Sequence, residues 1–473
     1  MVAPLPNRAI PVNSAQSSRR RWLRHGARLA AAAGLGIPLT SLLGACQSRS
    51  RPLATSAALR LVPTRDATTG LNLLNLPEGF RYFSFAWEGE ALASGGRCPG
   101  AADGMGIVRA EGERITLIRN QELAGATGPF AQPERAYDAR AAGGCVEIEV
   151  DLGQQKLTRL DAALTGTLLN CAGGTTPWGS WLSCEEIVIE RAQLQLADGT
   201  PLPSFEQGHG FVFEVRPGDR GRATPIPEMG MFRHEATAID PATGVVYLTE
   251  DHFPAAGFYR FLPRQAGQLA AGGRLEMLAV RGTQELRQGL RVGQRFDVYW
   301  VPIAEPARGH SPGVIDQSGV IKQGEAGGGA LFLRLEGCCH GEEGIWFTST
   351  SGGDAGGGQV WLYRPASEQL ELVFEVTDRD AMDYPDNISL GLGQGLLICE
   401  DSKRSPVQRL FWLSRDGRLL TLAENQVEID GVSYRNREWA GCCVSPDGRW
   451  LFANIYTPGF SVAITGPWDQ LLG

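Results

Sequence analysis

An all-β fold, a single-domain six-bladed β-propeller with a central metal site, is what this sequence predicts, and three observations predict it. The 473 residues include 61 Gly and 28 Pro, scattered rather than clustered, which reads as many tight turns between short strands. No long stretch carries helical periodicity. One pattern returns six times: a Gly, a short apolar or aromatic run, then a polar or acidic end.

The copies run from Gly112 to Glu122, Gly179 to Glu186, Gly244 to Asp251, Gly344 to Thr350, Gly395 to Asp401 and Gly448 to Asn454. Spacings of roughly 50 to 100 residues leave room for about four strands per copy, as propeller blades require. Further strands are expected between them, at Gly210 to Val215 and Gln359 to Arg364. Innermost strands of a propeller line one channel, so acids distant in sequence would meet at one mouth. Like charges gathered there repel unless cations neutralise them. A pair of β-sandwiches is the alternative fold, and it leaves the repeated acidic ends without a reason. The longest gap, from Gly244 to Gly344, holds a Gly-, Ala- and Arg-rich insertion around Gln265 to Gln294, read as either a lid or a long blade loop.

The N-terminus reads as a targeting segment, residues 1–46. Ser18-Arg19-Arg20-Arg21-Trp22-Leu23-Arg24 resembles a twin-arginine export motif, with Trp22 where Phe is commoner. The apolar run from Leu29 to Ala45 is too short and too weakly hydrophobic for a membrane span. Leu43-Gly44-Ala45-Cys46 has the form of a lipoprotein cleavage box, which would leave Cys46 as a lipidated N-terminus; ordinary signal cleavage nearby is the other reading. A linker over 47–75 and the propeller over 76–473 complete the expected organisation. The expected location is periplasmic or extracellular, through the twin-arginine machinery. That route carries folded proteins, often with cofactors loaded, and so favours a metal centre assembled before export.

The formal charge of −8, without a basic stripe, argues against nucleic acid as a partner. Setting Cys46 aside, the ten Cys leave an odd number, so at least one need not pair. The vicinal pairs Cys338-Cys339 and Cys442-Cys443 would point to opposite faces of their strands. Most of the cysteines read as buried small hydrophobes, with a disulfide open to an exported chain.

The segment from Asn170 to Glu186 sets a thiol, Cys171, on a Gly-rich turn and then runs an aromatic strand into Glu185 and Glu186. Soft sulfur and hard oxygen so close suit a mixed transition-metal and calcium site; a turn with surface acids is the plainer reading. With six His in all, a His-dominated zinc site is disfavoured. Arg233-His234-Glu235 and Asp251-His252 are the His–acid neighbours, and such His are more often structural. Carboxylates are the abundant donors: Glu122, Glu185, Glu186, Glu235, Glu250, Asp251, Glu336, Glu400 and Asp401. In each adjacent pair only one member should face the channel, because strand side chains alternate. Arg334-Leu335-Glu336 sets a guanidinium two residues from a carboxylate, a partner for phosphate oxygens beside metal ions; a surface ion pair is the alternative. There is no P-loop, no Gly-x-Ser-x-Gly elbow and no Ser/His/Asp set.

Several of these stretches closely resemble the PhoX-type alkaline phosphatases. They are Asn170-Cys171 through Glu186, Arg233-His234-Glu235, Thr249-Glu250-Asp251, Arg334-x-Glu336, Pro385-Asp386-Asn387 and Ser445-Pro446-Asp447-Gly448 with Leu451-Phe452-x-Asn454. The resemblance covers most of the mature chain, in order. It implies a six-bladed propeller exported by the twin-arginine route, with a cluster of iron and calcium ions. Cys171 would bridge the irons, Glu122, Glu186, Glu235, Glu250, Glu336 and Asp401 would supply carboxylates, and Arg334 would hold the phosphoryl group. The implied activity is hydrolysis of small-molecule phosphate esters at alkaline pH, by a monomer. The chain is shorter than the best-known members, Gln121 stands where His is expected, and the vicinal cysteines are unfamiliar. Two other functions fit the residues: a calcium-dependent propeller lactonase or esterase, with no need of Cys171, and a non-catalytic lipoprotein propeller with structural calcium.

Overall fold

The strands Trp181–Glu185, Val246–Glu250, Gly344–Ser349, Gly395–Glu400 and Leu451–Ile455 are buried at every residue. Strands buried on both faces need cover on both, and sheets packed face to face supply it. The structure, a computed structural model, describes residues 59–190, 205–219 and 221–472. The targeting segment, with the twin-arginine motif and Cys46, therefore lies outside the described residues.

Antiparallel meanders dominate the described residues. One sheet joins Ala102–Glu111, Arg114–Gln121, Gly143–Asp151 and Lys156–Thr167; the next joins Asn170–Thr175, Trp181–Glu185 and Val212–Val215. Two further meanders begin at His234–Ile239 and Leu335–Gly341. The strand Arg295–Pro302 fuses them into one nine-stranded sheet by pairing with Gly273–Val280 on one side and Gln369–Glu375 on the other. The meander from Pro385–Leu392 to Leu419–Asn425 is extended at its outer edge by Leu74–Pro77 and Leu61–Thr64. Trp439–Val444, Leu451–Ile455 and Phe460–Thr465 form the last sheet, completed by Arg81–Phe85 from the start of the described chain. Among the described residues only Gly319–Ala326 and Trp468–Leu472 are α-helical. The architecture is all-β and propeller-like.

The first strand of each meander lies beside the first strand of the next, and Trp439–Val444 returns to Ala102–Glu111. The hydrophobic core is divided accordingly, one cluster between each pair of consecutive sheets. Phe83 and Phe452 pack with Leu117 and Ile148, and Phe258 and Leu278 pack with Phe347 and Trp361. Part of the stretch expected to be a linker is sheet, because Leu74 and Leu76 are fully buried against the meander that they extend. The insertion around Gln265 to Gln294 supplies one strand, Gly273–Val280, to a sheet. All nine described cysteines are free thiols.

Each inner strand is interrupted at the same place. Its register with the second strand slips between Ala102 and Met105, Asn170 and Gly173, His234 and Thr237, Leu335 and Cys338, Pro385 and Ile388, and Ala440 and Cys443. A bulge leaves residues out of the ladder and re-aims their side chains. The first residue of each slip is Asp103, Cys171, Glu235, Glu336, Asp386 or Gly441.

Candidate metal centre

Five of those six bulge residues carry a carboxylate or a thiol, and small residues follow four of them: Gly104, Ala172, Ala236 and Gly337. Close packing of neighbouring inner strands is the reason. A Cβ on Gly104 would sit 2.5 Å from Ala172 Cα, and one on Gly337 would sit 2.6 Å from the Asp386 carbonyl oxygen. Bulge carbonyls that lose their ladder partners are caught by the neighbouring sheet, as buried carbonyls must be. Asn120 Nδ2 donates to Ala172 O at 2.7 Å, Thr249 Oγ1 to Glu336 O at 2.6 Å, Thr348 Oγ1 to Asp386 O at 3.0 Å and Asn454 Nδ2 to Asp103 O at 2.5 Å. The bulges are thus held in place sheet by sheet.

The second strands contribute the rest, and the adjacent acids divide their work. Glu185 is turned into its sheet, where it accepts from the backbone of Leu168 and Gly210, both at 2.8 Å, and lies 2.6 Å from His209 Nδ1. Glu400 pairs with Arg409 at 2.6 Å. Glu250 accepts from Gly257 N at 2.9 Å and Tyr259 Oη at 2.7 Å, while its other oxygen is buried without a partner. The following residues, Glu186, Asp251 and Asp401, each interact electrostatically with carboxylates from other sheets, as does Glu122. Asp251, the residue after Glu250, accepts from Arg334 and faces Glu186 and Glu336.

Cys171, Glu186 and Glu235 offer ligand atoms within 4.8 Å of one another, and Glu235, Glu336 and Asp386 do likewise, so Glu235 is shared. Burial, followed by mutual repulsion, pushes Asp103, Glu235 and Glu336 well above the ordinary carboxylate range. Burial raises Glu186 and Asp386 to about 8, and Glu250 to about 7. Burial and the acids around it likewise raise the Cys171 thiol. So many buried acids in one place can ionise together only with cations among them. The donors suit two kinds of cation: thiolate plus carboxylates suit a transition metal, and the oxygen-only group suits a hard cation.

Two guanidiniums and a phenol complete the mouth. Arg334 stands immediately before its inner strand at a left-handed φ of 46°, a strained conformation for a residue with a Cβ. There its Nη2 reaches Asp251 Oδ2 at 2.9 Å and Glu336 Oε1 at 2.8 Å. Arg233 Nη2 bonds Glu186. Tyr456 Oη donates to Glu122 Oε2 at 2.5 Å. His234 is buried against Phe232, with Nε2 at 3.0 Å from Gly230 O, and burial lowers its pKa to about 3. Sequence reading missed Asp103 and Glu438 altogether; Glu438 couples to Asp401 and Asp103 across the last sheet. Asp103 shares with Cys171, Glu235 and Glu336 a following Gly or Ala, whereas Glu438 precedes Trp439 and carries no such mark.

A propeller-like all-β scaffold that gathers a thiol, buried carboxylates and guanidiniums at one mouth defines a metal-binding enzyme. The model of one family, described as alkaline phosphatase PhoX, matches residues 59–459. The chain belongs to that family, and its activity is that of a metal-dependent phosphoric monoester hydrolase. No curated protein matches the chain. Among solved structures, a gluconolactonase from Xanthomonas campestris is 11% identical with a TM-score of 0.43, the match covering 88% of this chain and 99% of that one. The holo PQQ domain of a pyranose dehydrogenase from Coprinopsis cinerea is 12% identical with a TM-score of 0.40, covering 85% and 100%. A PQQ-bound aldose sugar dehydrogenase from Streptomyces coelicolor is 11% identical with a TM-score of 0.36, covering 79% and 97%.

Proposed function

We propose that this chain is an exported phosphomonoesterase, a six-bladed propeller whose central site holds iron and calcium. The observation that carries the reading is the pair of donor groups joined at Glu235, one with the Cys171 thiol and one of oxygens only. Iron suits the group of Cys171, Glu186 and Glu235; calcium suits the group of Glu235, Glu336 and Asp386. Glu122, Glu250 and Asp401 would add ligands around them, with Asp103, Asp251 and Glu438. When bound, the cations supply positive charge against the phosphate oxygens and a lowered pKa for water.

The chain's own residues do the remainder. Arg334 binds the phosphoryl oxygens through its planar fork and stabilises the charge that spreads over them as the ester bond breaks. Its bonds to Asp251 and Glu336 fix the direction of that fork. Tyr456 orients Glu122, and burial of the bulge residues keeps bulk water from the acids. Small-molecule phosphate esters are the substrates. The twin-arginine route, a periplasmic or extracellular location, lipidation at Cys46 and a monomeric state complete the proposal.

The test is hydrolysis of a generic aryl phosphate at alkaline pH, with added calcium and with a calcium chelator. Turnover that the chelator abolishes and calcium restores supports the reading. An iron-containing, folded preparation without turnover in calcium would sink it.

A further inference from the structure

Arg334 is not alone above the acids. Arg233 holds the matching place one meander earlier, since each residue immediately precedes an inner strand, His234–Ile239 or Leu335–Gly341, and those two strands lie side by side. Each also bonds the end of its second strand in the same way: Asp251 N donates to Arg233 O at 3.1 Å and Thr350 N to Arg334 O at 2.9 Å.

The two guanidiniums converge on one oxygen. Asp251 Oδ2 lies 2.9 Å from Arg334 Nη2 and 4.0 Å from Arg233 Nη2. The two nitrogens are therefore at most about 7 Å apart. Arg233 and Arg334 side chains are 34% and 26% exposed, against 14% for Glu186 and 7% for both Asp251 and Glu336. The cationic heads are on the open side and the acids lie beneath. Arg233 Nε is buried and has no partner, so its fork has unspent donor capacity. A carboxylate shared with a cation binds a guanidinium less strongly, and two guanidiniums beside cations repel them unless an anion joins.

We infer that Arg233 and Arg334 together clamp the phosphoryl group, which makes Arg233 a second residue in direct contact with it. This rests on the phosphomonoesterase reading above. Charge-assisted bonds of about 2.8 Å from each fork reach two different oxygens of one phosphoryl group across such a gap.

The experiment is calorimetric titration of inorganic phosphate into the metal-loaded enzyme as wild type, Arg233→Gln, Arg233→Lys and Arg334→Gln. Metal content and thermal unfolding are measured on the same samples. Arg233→Gln and Arg334→Gln are each expected to weaken phosphate binding about tenfold or more, at wild-type metal content, with Arg233→Lys recovering part of the loss. If Arg334→Gln loses affinity and Arg233→Gln does not, the inference is overturned and the phosphatase reading stands. Metal loss in Arg233→Gln, with phosphate bound in proportion to the metal left, also overturns it and makes Arg233 a positioning group for Glu186. Failure of the loaded wild type to bind phosphate overturns both.

Discussion

The two halves of the same inner strands could hardly differ more. At their starts the ladders are broken, and five of six bulge residues bring an acid or a thiol to one mouth. Farther along, the same strands line a cavity of about 500 Å³ with Gly, Thr, Ala and the thiols of Cys338, Cys339, Cys442 and Cys443, but no carboxylate. One scaffold therefore gathers its acids at one end of the inner strands, where every one of their ladders is interrupted. A regular strand sends alternate side chains into the packed sheets on either side, whereas a bulge frees a side chain to face the axis.

The sharpest way to break this contrast is to remove a thiol from each half. Cys171→Ala is expected to lose transition metal and to cut activity by at least about a hundredfold, with the fold retained by circular dichroism. Cys339→Ala, in the other half, is expected to leave metal content and kcat within about twofold. Equal effects would dissolve the distinction. A smaller effect separates the members of one acid pair. Glu185→Gln disturbs a buried carboxylate bound to backbone and to His209, and is expected to cost about 3–5 kcal/mol of stability, read as a lower midpoint in denaturant. Glu186→Gln should retain the midpoint and lose metal instead. If Glu185→Gln lost metal at unchanged stability, the assignment of the pair would be reversed.

The smallest effect concerns pH. His209 is fully buried between Glu185 and Asp138. Although burial opposes its charge, Glu185 and then Asp138 raise its pKa to about 9 from an ordinary value of 6.5. A folded-state pKa above the unfolded one stabilises fully below pH 6.5, and that contribution drains away as pH rises through 9. Thermal unfolding of the wild type should therefore weaken between pH 6.5 and 9 by on the order of 3 kcal/mol, and His209→Gln should show a flatter profile. Parallel profiles would remove His209 from the account.

The sequence was legible where side-chain period equals strand period. Glycines followed by apolar runs marked the second strands, and Glu122, Glu186 and Asp401 fell at their ends. Alternation also required that one acid of each pair turn inward, but parity alone does not say which. Asp103 and Glu438 were passed over because a bulge changes the period within a strand, and because Asp103 meets Glu438 only where the first and last sheets adjoin. Asp386 was named only through the family motif; its role depends on Glu235 and Glu336, brought beside it from 151 and 50 residues earlier in the chain. The strand Arg295–Pro302, which fuses two meanders, left no trace beyond an unexplained gap.

The pairing of Arg81–Phe85 with Phe460–Thr465 sets an order of events. A chain leaving the ribosome N-terminus first holds most of its ligands early, yet it cannot bring Asp103 to Glu438 until the final strand has emerged. Ions met before that moment encounter only partial sites from successive sheets. Closure of the last sheet is therefore a step that follows synthesis, and a chain truncated before Phe460 would lack the strand on which Arg81–Phe85 pairs.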